Sequence, residues 1–135
     1  MKKVLTVGVF DYFHIGHLRL FKNAKRNGDY LIVAVQDNDT ILKYKPDTNI
    51  LYSTEQRMEL VGALKVVDET IIYQDVDTIV EKVDFDVLAI GEDQNHPGFQ
   101  RAVAWCEAHG KEVVRMHRTP SISSTIIKDE LSKLK

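Results

Sequence analysis

Two histidines three residues apart, His14 and His17, stand in the segment Gly8-Val9-Phe10-Asp11-Tyr12-Phe13-His14-Ile15-Gly16-His17. An apolar, β-branched run precedes it and a stretch with helical spacing follows, so the pair sits at a strand-to-helix turn. A helix start presents N–H groups without intrahelical partners and a partial positive charge, which stabilises an anion such as a triphosphate. Two imidazoles add donors, and Gly8 and Gly16 let backbone approach a ligand closely. Such a site suits charge that builds on a phosphorus during in-line attack. Taken alone, the pair also fits a solvated or helix-capping role, or half of a zinc site. No Cys, His or Asp cluster elsewhere offers the other zinc ligands at recognisable spacing, and the order strand, glycine, helix favours the anion.

A second constellation stands near the other end, Arg118-Thr119-Pro120-Ser121-Ile122-Ser123-Ser124-Thr125. Arg118 offers a forked donor, and Ser123, Ser124 and Thr125 offer hydroxyls and amides at a helix start. It reads as a clamp for β- and γ-phosphates, or, taken alone, as an ordinary serine-rich helix cap.

The elements that must hold these residues alternate. Lys3–Val9 and Tyr30–Gln36 are nearly continuous apolar runs, the pattern of strands buried on both faces of a parallel sheet. Between them, His17–Arg26 has helical spacing and Asn27-Gly28 supplies a stop. Asp37–Leu51 is polar, lacks a sustained period and reads as a long surface loop carrying Lys43 and Lys45. Ser53 and Gln56 form a capping box that opens a helix through Leu64. Glu69–Tyr73 is a short strand, Val76–Val83 a helix, and Asp86–Gly91 a strand. A helix starting near Pro97 and ending before Gly110, a strand Glu112–Met116 and a helix Ser123–Leu134 complete the series. The expected fold is α/β: a Rossmann-like three-layer arrangement with a five-stranded parallel sheet and helices on both faces. Ligands of such folds bind beyond the carboxyl ends of the strands, at the topological switch point.

Composition narrows the function classes. A chain of 135 residues with 44% hydrophobic content suits one domain over 1–135. Lys and Arg total 18 against 20 Asp and Glu, which leaves no basic excess for a nucleic-acid backbone. A single cysteine, Cys106, cannot form an internal disulfide, and neither a signal peptide nor an apolar run of roughly 20 residues is present. A soluble cytoplasmic protein with no nucleic-acid or membrane partner is expected.

Gly8-x-Phe10-Asp11-x-x-His14-x-Gly16-His17 resembles the signature of the HIGH-type nucleotidyltransferases, specifically the small cytidylyltransferases, and among them the bacterial enzymes acting on glycerol 3-phosphate. Arg118-Thr119 with Ile122-Ser123-Ser124-Thr125 is similar to that family's second signature, so the resemblance spans essentially the whole chain. It implies transfer of CMP from CTP to a small phosphorylated acceptor, glycerol 3-phosphate or a related polyol or sugar phosphate, with release of pyrophosphate. It further implies Mg2+ held through the phosphates and a homodimer. His14, His17, Lys43 and Arg118 would then be catalytic. Gly8, Val9, Phe10, Asp11, Gly16, Lys45, Lys65, Asp93, Thr119, Ile122, Ser123, Ser124 and Thr125 would bind the nucleotide.

For the acceptor, the resemblance points to Lys43, Arg57 and His96. Bland readings stand beside these: a solvated Lys-x-Lys loop, a surface ion pair for Arg57, and a strand-end turn for Asp93. Asp11 orients the site or meets the metal through water. Three departures from the pattern concern specificity. Val9 replaces a usual threonine, Lys65 replaces an arginine and loses its planar fork, and acidic Tyr73–Asp77 lacks a lysine seen in the glycerol phosphate enzymes. The polar segment Gln94–Phe99 shapes an acceptor pocket or merely connects a strand to a helix. Transfer of AMP to a sugar phosphate or pantetheine phosphate is the alternative reaction, and a non-catalytic nucleotide sensor is the alternative of another class.

Overall fold

Val4, Leu5, Thr6 and Val7 are fully buried because β1 (Lys3–Gly8) is the central strand of a sheet covered on both faces. The protein is described here, for residues 1–117, from a computed structural model. The elements following β1 are α1 (Ile15–Lys25), β2 (Tyr30–Gln36), α2 (Asn38–Tyr44), α3 (Thr54–Gly62) and β3 (Glu69–Tyr73). Then come α4 (Val76–Lys82), β4 (Val87–Gly91), α5 (Pro97–Ala108) and β5 (Glu112–Met116). The expected final helix Ser123–Leu134 and the residues from Arg118 to Thr125 lie outside the described residues.

All four strand pairings are parallel, in the order β3-β2-β1-β4-β5. The chain winds outward from β1 through β2 to β3, then returns to place β4 on the other side of β1. The reversal of winding falls between β1 and β4, where the loops leaving the two strands part and open a crevice. Side-chain alternation splits the core in two. Leu5, Val7, Ile32, Ala34, Leu88 and Ile90 pack against Val76, Val80, Phe99, Ala102 and Cys106 of α4 and α5. Val4, Leu31, Val33, Val35, Val87 and Ala89 pack against Phe21, Ala24 and Val61 of α1 and α3. The five-stranded parallel α/β fold expected from the sequence is thus the one observed.

Two expectations need correction. The helix expected from His17 begins at Ile15, because His14 caps it from the preceding residue. Part of the expected loop Asp37–Leu51 is α2, capped by the Asp37 carboxylate, which accepts the Thr40 N–H at 2.8 Å. Only Thr40 and Ile41 of α2 are buried, so its seven residues carry no helical period to read. Gly110 adopts φ 73° after α5, and the Lys111 N–H then reaches back to the Cys106 carbonyl at 2.8 Å, closing the helix with a Schellman-type bond.

Thr6 is the polar exception in β1: its hydroxyl is sealed from solvent and has no hydrogen-bond partner among the described residues. Valine has the same shape without the orphaned hydroxyl. Thr6→Val is expected to stabilise the fold by about 1 kcal/mol, read as a higher midpoint in thermal unfolding. A lower midpoint would mean that the hydroxyl is satisfied in solution.

Candidate functional site

Beyond the carboxyl ends of β1 and β4 lies a cleft of about 990 Å³. Gly8, Val9, Phe10 and Asp11 form its floor, His14, Gly16 and His17 one wall, and Gly91, Glu92 and Asp93 the side toward β4. His96, Lys45 and Tyr73 also line it. The structure therefore brings together most of the residues singled out in the first motif, together with Lys45, Asp93 and His96.

The loop from Val9 to Tyr12 has an unusual shape. Phe10 and Tyr12 are left-handed, with φ of 56° and 51°. Conformations of this kind cost non-glycine residues roughly 1–3 kcal/mol each and persist only where surroundings hold them. Here the holding groups are visible. Asp11 is buried and accepts the Leu51 N–H at 2.6 Å and the Tyr52 N–H at 3.1 Å. Arg57 of α3 is 1% exposed and donates to the Val9 carbonyl at 2.8 Å, to the Tyr52 carbonyl at 3.4 Å and to the Asn38 side chain. The Phe10 ring folds back over Gly8, where an added Cβ would come within 2.7 Å of it. Gly8 is thus required by the ring that covers it.

At the start of α1 the two histidines take the helix-capping role that the sequence left as one of several readings. The His14 Nδ1 accepts the Gly16 N–H at 3.0 Å, and the His17 Nδ1 accepts the His14 N–H at 3.2 Å. Their rings stack with centroids 3.9 Å apart, and His17 packs against Phe10 and Phe13. This corrects the simple picture of a bare helix terminus. The Gly16 and His17 amides are already engaged, the latter with the His14 carbonyl. An imidazole accepting at Nδ1 carries its proton on Nε2, so both rings turn an Nε2–H edge away from the helix backbone. Capping does not preclude a donor role for the rings. The cap fixes the tautomer that makes each ring a donor.

Several expected residues stand elsewhere. Arg57 is neither a surface ion pair nor part of the cleft lining; it is a buried strut under the loop. Burial pulls its guanidinium below its ordinary value, against the opposing pull of Asp11. Lys43 is exposed on α2, its ammonium over the Tyr44 ring, and does not line the cleft. Lys65 does not line the cleft of this chain. It precedes Asp68, whose N–H meets the Leu31 carbonyl near the amino end of β2, so it lies at the far end of the sheet. Cys106 is fully buried in the core, and burial raises its thiol above the ordinary value, as suits a packing residue. Among the described residues no three His, Cys, Asp or Glu side chains converge as a metal cage. A divalent cation would therefore fit this cleft only with substrate oxygens supplying most of its ligands.

Two contributors went unnoticed in the sequence. Gln94 ties the two sides of the crevice: its Oε1 accepts the Gly91 N–H at 2.8 Å and its Nε2 donates to the Val7 carbonyl at 3.1 Å. Asp37 fixes α2 over the cleft edge. Desolvation pushes its carboxyl up, but the Thr40 hydroxyl and amide and the Gln74 side chain outweigh it, so the net shift is below the ordinary 3.8. Its contribution is therefore complete above that value and is lost as pH falls through the lower folded value. Asp37→Ala is expected to cost about 1 kcal/mol and to abolish that acid-limb dependence, as chemical denaturation at graded pH would record.

Comparison with known proteins agrees with this geometry. A family model described as cytidylyltransferase-like matches residues 5–130. A glycerol-3-phosphate cytidylyltransferase of Bacillus spizizenii is 34% identical, the alignment covering 99% of this chain and 100% of that one. An FAD synthase of Ferroglobus placidus is 43% identical over 97 residues, which are 70% of this chain and 62% of that protein. The chain thus spans less than two thirds of that relative. A lipopolysaccharide core biosynthesis protein from Thermoplasma volcanium has the same fold, with a TM-score of 0.75, 28% identity, and coverage of 88% of this chain and 98% of its own.

Proposed function

The chain belongs to the cytidylyltransferase-like family, and from that premise we propose that it transfers CMP from CTP to a small phosphorylated acceptor. The acceptor is glycerol 3-phosphate or a related polyol or sugar phosphate, and pyrophosphate is released. The full-length likeness to glycerol-3-phosphate cytidylyltransferases carries this reading, and the paired histidines at the β1–β4 crevice support it.

In the proposed reaction an acceptor phosphate oxygen forms a bond to the α-phosphorus of CTP. The bond from that phosphorus to the bridging oxygen breaks, and its electrons leave with pyrophosphate. A phosphate monoester is already largely ionised near neutral pH, so no strong general base is required. His14 and His17 donate from Nε2 to oxygens that gain charge in the transition state. Lys45 draws the phosphates to the cleft, with Lys43 nearby on α2. Bound Mg2+ would neutralise the triphosphate and be held mainly by its oxygens. Arg118 and the hydroxyls of Ser123, Ser124 and Thr125 are proposed as the second half of the phosphate clamp, with Thr119 and Ile122 beside them. The proposal includes a homodimer, which light scattering would read.

The likeness to FAD synthases favours a second reading, transfer of AMP from ATP. Pyrophosphate release measured with each of the four nucleoside triphosphates, Mg2+ and a panel of phosphorylated acceptors separates the two. Activity confined to CTP is expected; activity with ATP alone overturns the first reading. Binding of nucleotide with no release for any pair would leave a sensor.

A further inference from the structure

One wing of the cleft, away from the histidines, has no part in the reaction as described. It is formed by the end of β3 and the starts of α4 and α5. Tyr73 ends β3, is 6% exposed and lines the cleft. Its ring belongs to the core beneath α4 and α5, and its hydroxyl makes no hydrogen bond with any described residue. The ring is buried, but the hydroxyl is not among the polar atoms sealed from solvent, so it opens onto the cleft as a donor and acceptor that a ligand can engage.

The groups around it define the ligand. Asp75 lies two residues on and accepts the Tyr44 hydroxyl. Asp77 accepts the Arg101 Nε–H at 2.8 Å across the gap between α4 and α5, and both side chains line the cleft. The wing thus carries a hydroxyl, a carboxylate, and a carboxylate and guanidinium side by side. Two carboxylates repel a phosphate, which belongs with Lys45 and the histidines. The Arg101 charge disfavours an ammonium, and the density of charge disfavours an apolar ring. Alternating donors and acceptors suit vicinal hydroxyls, each of which gives one hydrogen bond and takes another.

We infer that Tyr73, with the Asp77–Arg101 pair, forms the subsite that selects the hydroxylated carbon chain of a polyol or sugar phosphate acceptor. The inference rests on the transfer reaction proposed above and assigns the part of the cleft that reads the acceptor. Tyr73 exchanges a hydrogen bond with one chain hydroxyl, and Asp77 holds Arg101 so that its terminal nitrogens meet another.

Titration calorimetry with sn-glycerol 3-phosphate and ribitol 5-phosphate, each against its deoxygenated partner propyl or pentyl phosphate, tests this with and without an unreactive CTP analogue. At least one polyol phosphate should bind more tightly than its alkyl partner. Tyr73→Phe should weaken the polyol phosphate by about 3–10-fold and Arg101→Gln by a comparable factor. Both should leave the alkyl phosphate and CTP affinities unchanged. Tyr73→Phe keeps the ring in the core, and an unchanged unfolding midpoint confirms that the fold persists. If neither polyol phosphate binds the native protein, or if the variants weaken alkyl and polyol phosphates alike, the subsite is refuted. Polyol selectivity of the expected pattern without turnover of any nucleotide would refute the reaction instead and leave the subsite standing.

Discussion

Replacing His14 with alanine is expected to lower kcat/KM by about 100- to 1,000-fold and stability by only about 1 kcal/mol. The large loss follows from removing the donor proposed to meet the reacting phosphate, the small one from removing the cap on the Gly16 amide. His14→Asn separates the two roles. Asparagine caps a helix well but cannot reach as far as Nε2, so stability should be retained and activity still lost. Turnover assayed as pyrophosphate release, beside a thermal melt of each variant, reads both. If His14→Ala turns over within a few-fold of the native protein, His14 is a capping residue and nothing more.

The second large effect is expected at Arg57. Arg57→Met keeps much of the side-chain volume but removes donors from the Val9 and Tyr52 carbonyls and from Asn38. Buried acceptors left without partners cost about 1–3 kcal/mol each, so a loss of about 3 kcal/mol is expected in denaturant unfolding. Arg57→Lys retains the charge without the fork and should fall between. Because Arg57 braces the loop that holds Phe10 and Tyr12 in left-handed conformations, the surviving folded fraction should also show a lower kcat. A variant of unchanged stability would refute the bracing role.

The strands were legible because burial on both faces leaves an unbroken apolar run, as in Tyr30–Gln36, that few other structures require. The first motif was legible because strand, glycine and helix start stand next to one another in the chain. What stayed hidden depends on partners distant in sequence. Arg57 read as an acceptor contact or a surface ion pair, because its bracing partners, the Val9 and Tyr52 carbonyls and the Asn38 side chain, are distant in sequence or belong to the main chain, where no pattern marks them. The distance of Lys65 from the cleft was not legible because motif spacing carries no information about direction: α3 runs from the cleft toward the other end of the sheet, and Lys65 follows its end. The short helix α2 escaped because so little of it is buried. Tyr73 and Gln94 acquire meaning only when β3, β4 and β1 end beside one another. The capping bonds of His14 and His17 are local, so capping was among the readings the sequence offered, although histidine is not the usual helix cap and the residue type alone could not select it.

The Asp11 carboxylate reaches 40 residues along the chain to the Leu51 amide. With the neighbouring bond to the Tyr52 amide, that contact implies an order of assembly. A loop of this size is closed at an entropic disadvantage that local contacts do not offset, so β1, α1 and β2 must pair and dock before Asp11 can find its two amides. The Val9–Tyr12 loop is then expected to be the last seam of this half of the molecule to close and the first to open. Leu51 and Tyr52 amides should exchange with deuterium well before those of Leu31 to Val35, and a nascent or partly unfolded chain would have a sheet before it has an active site.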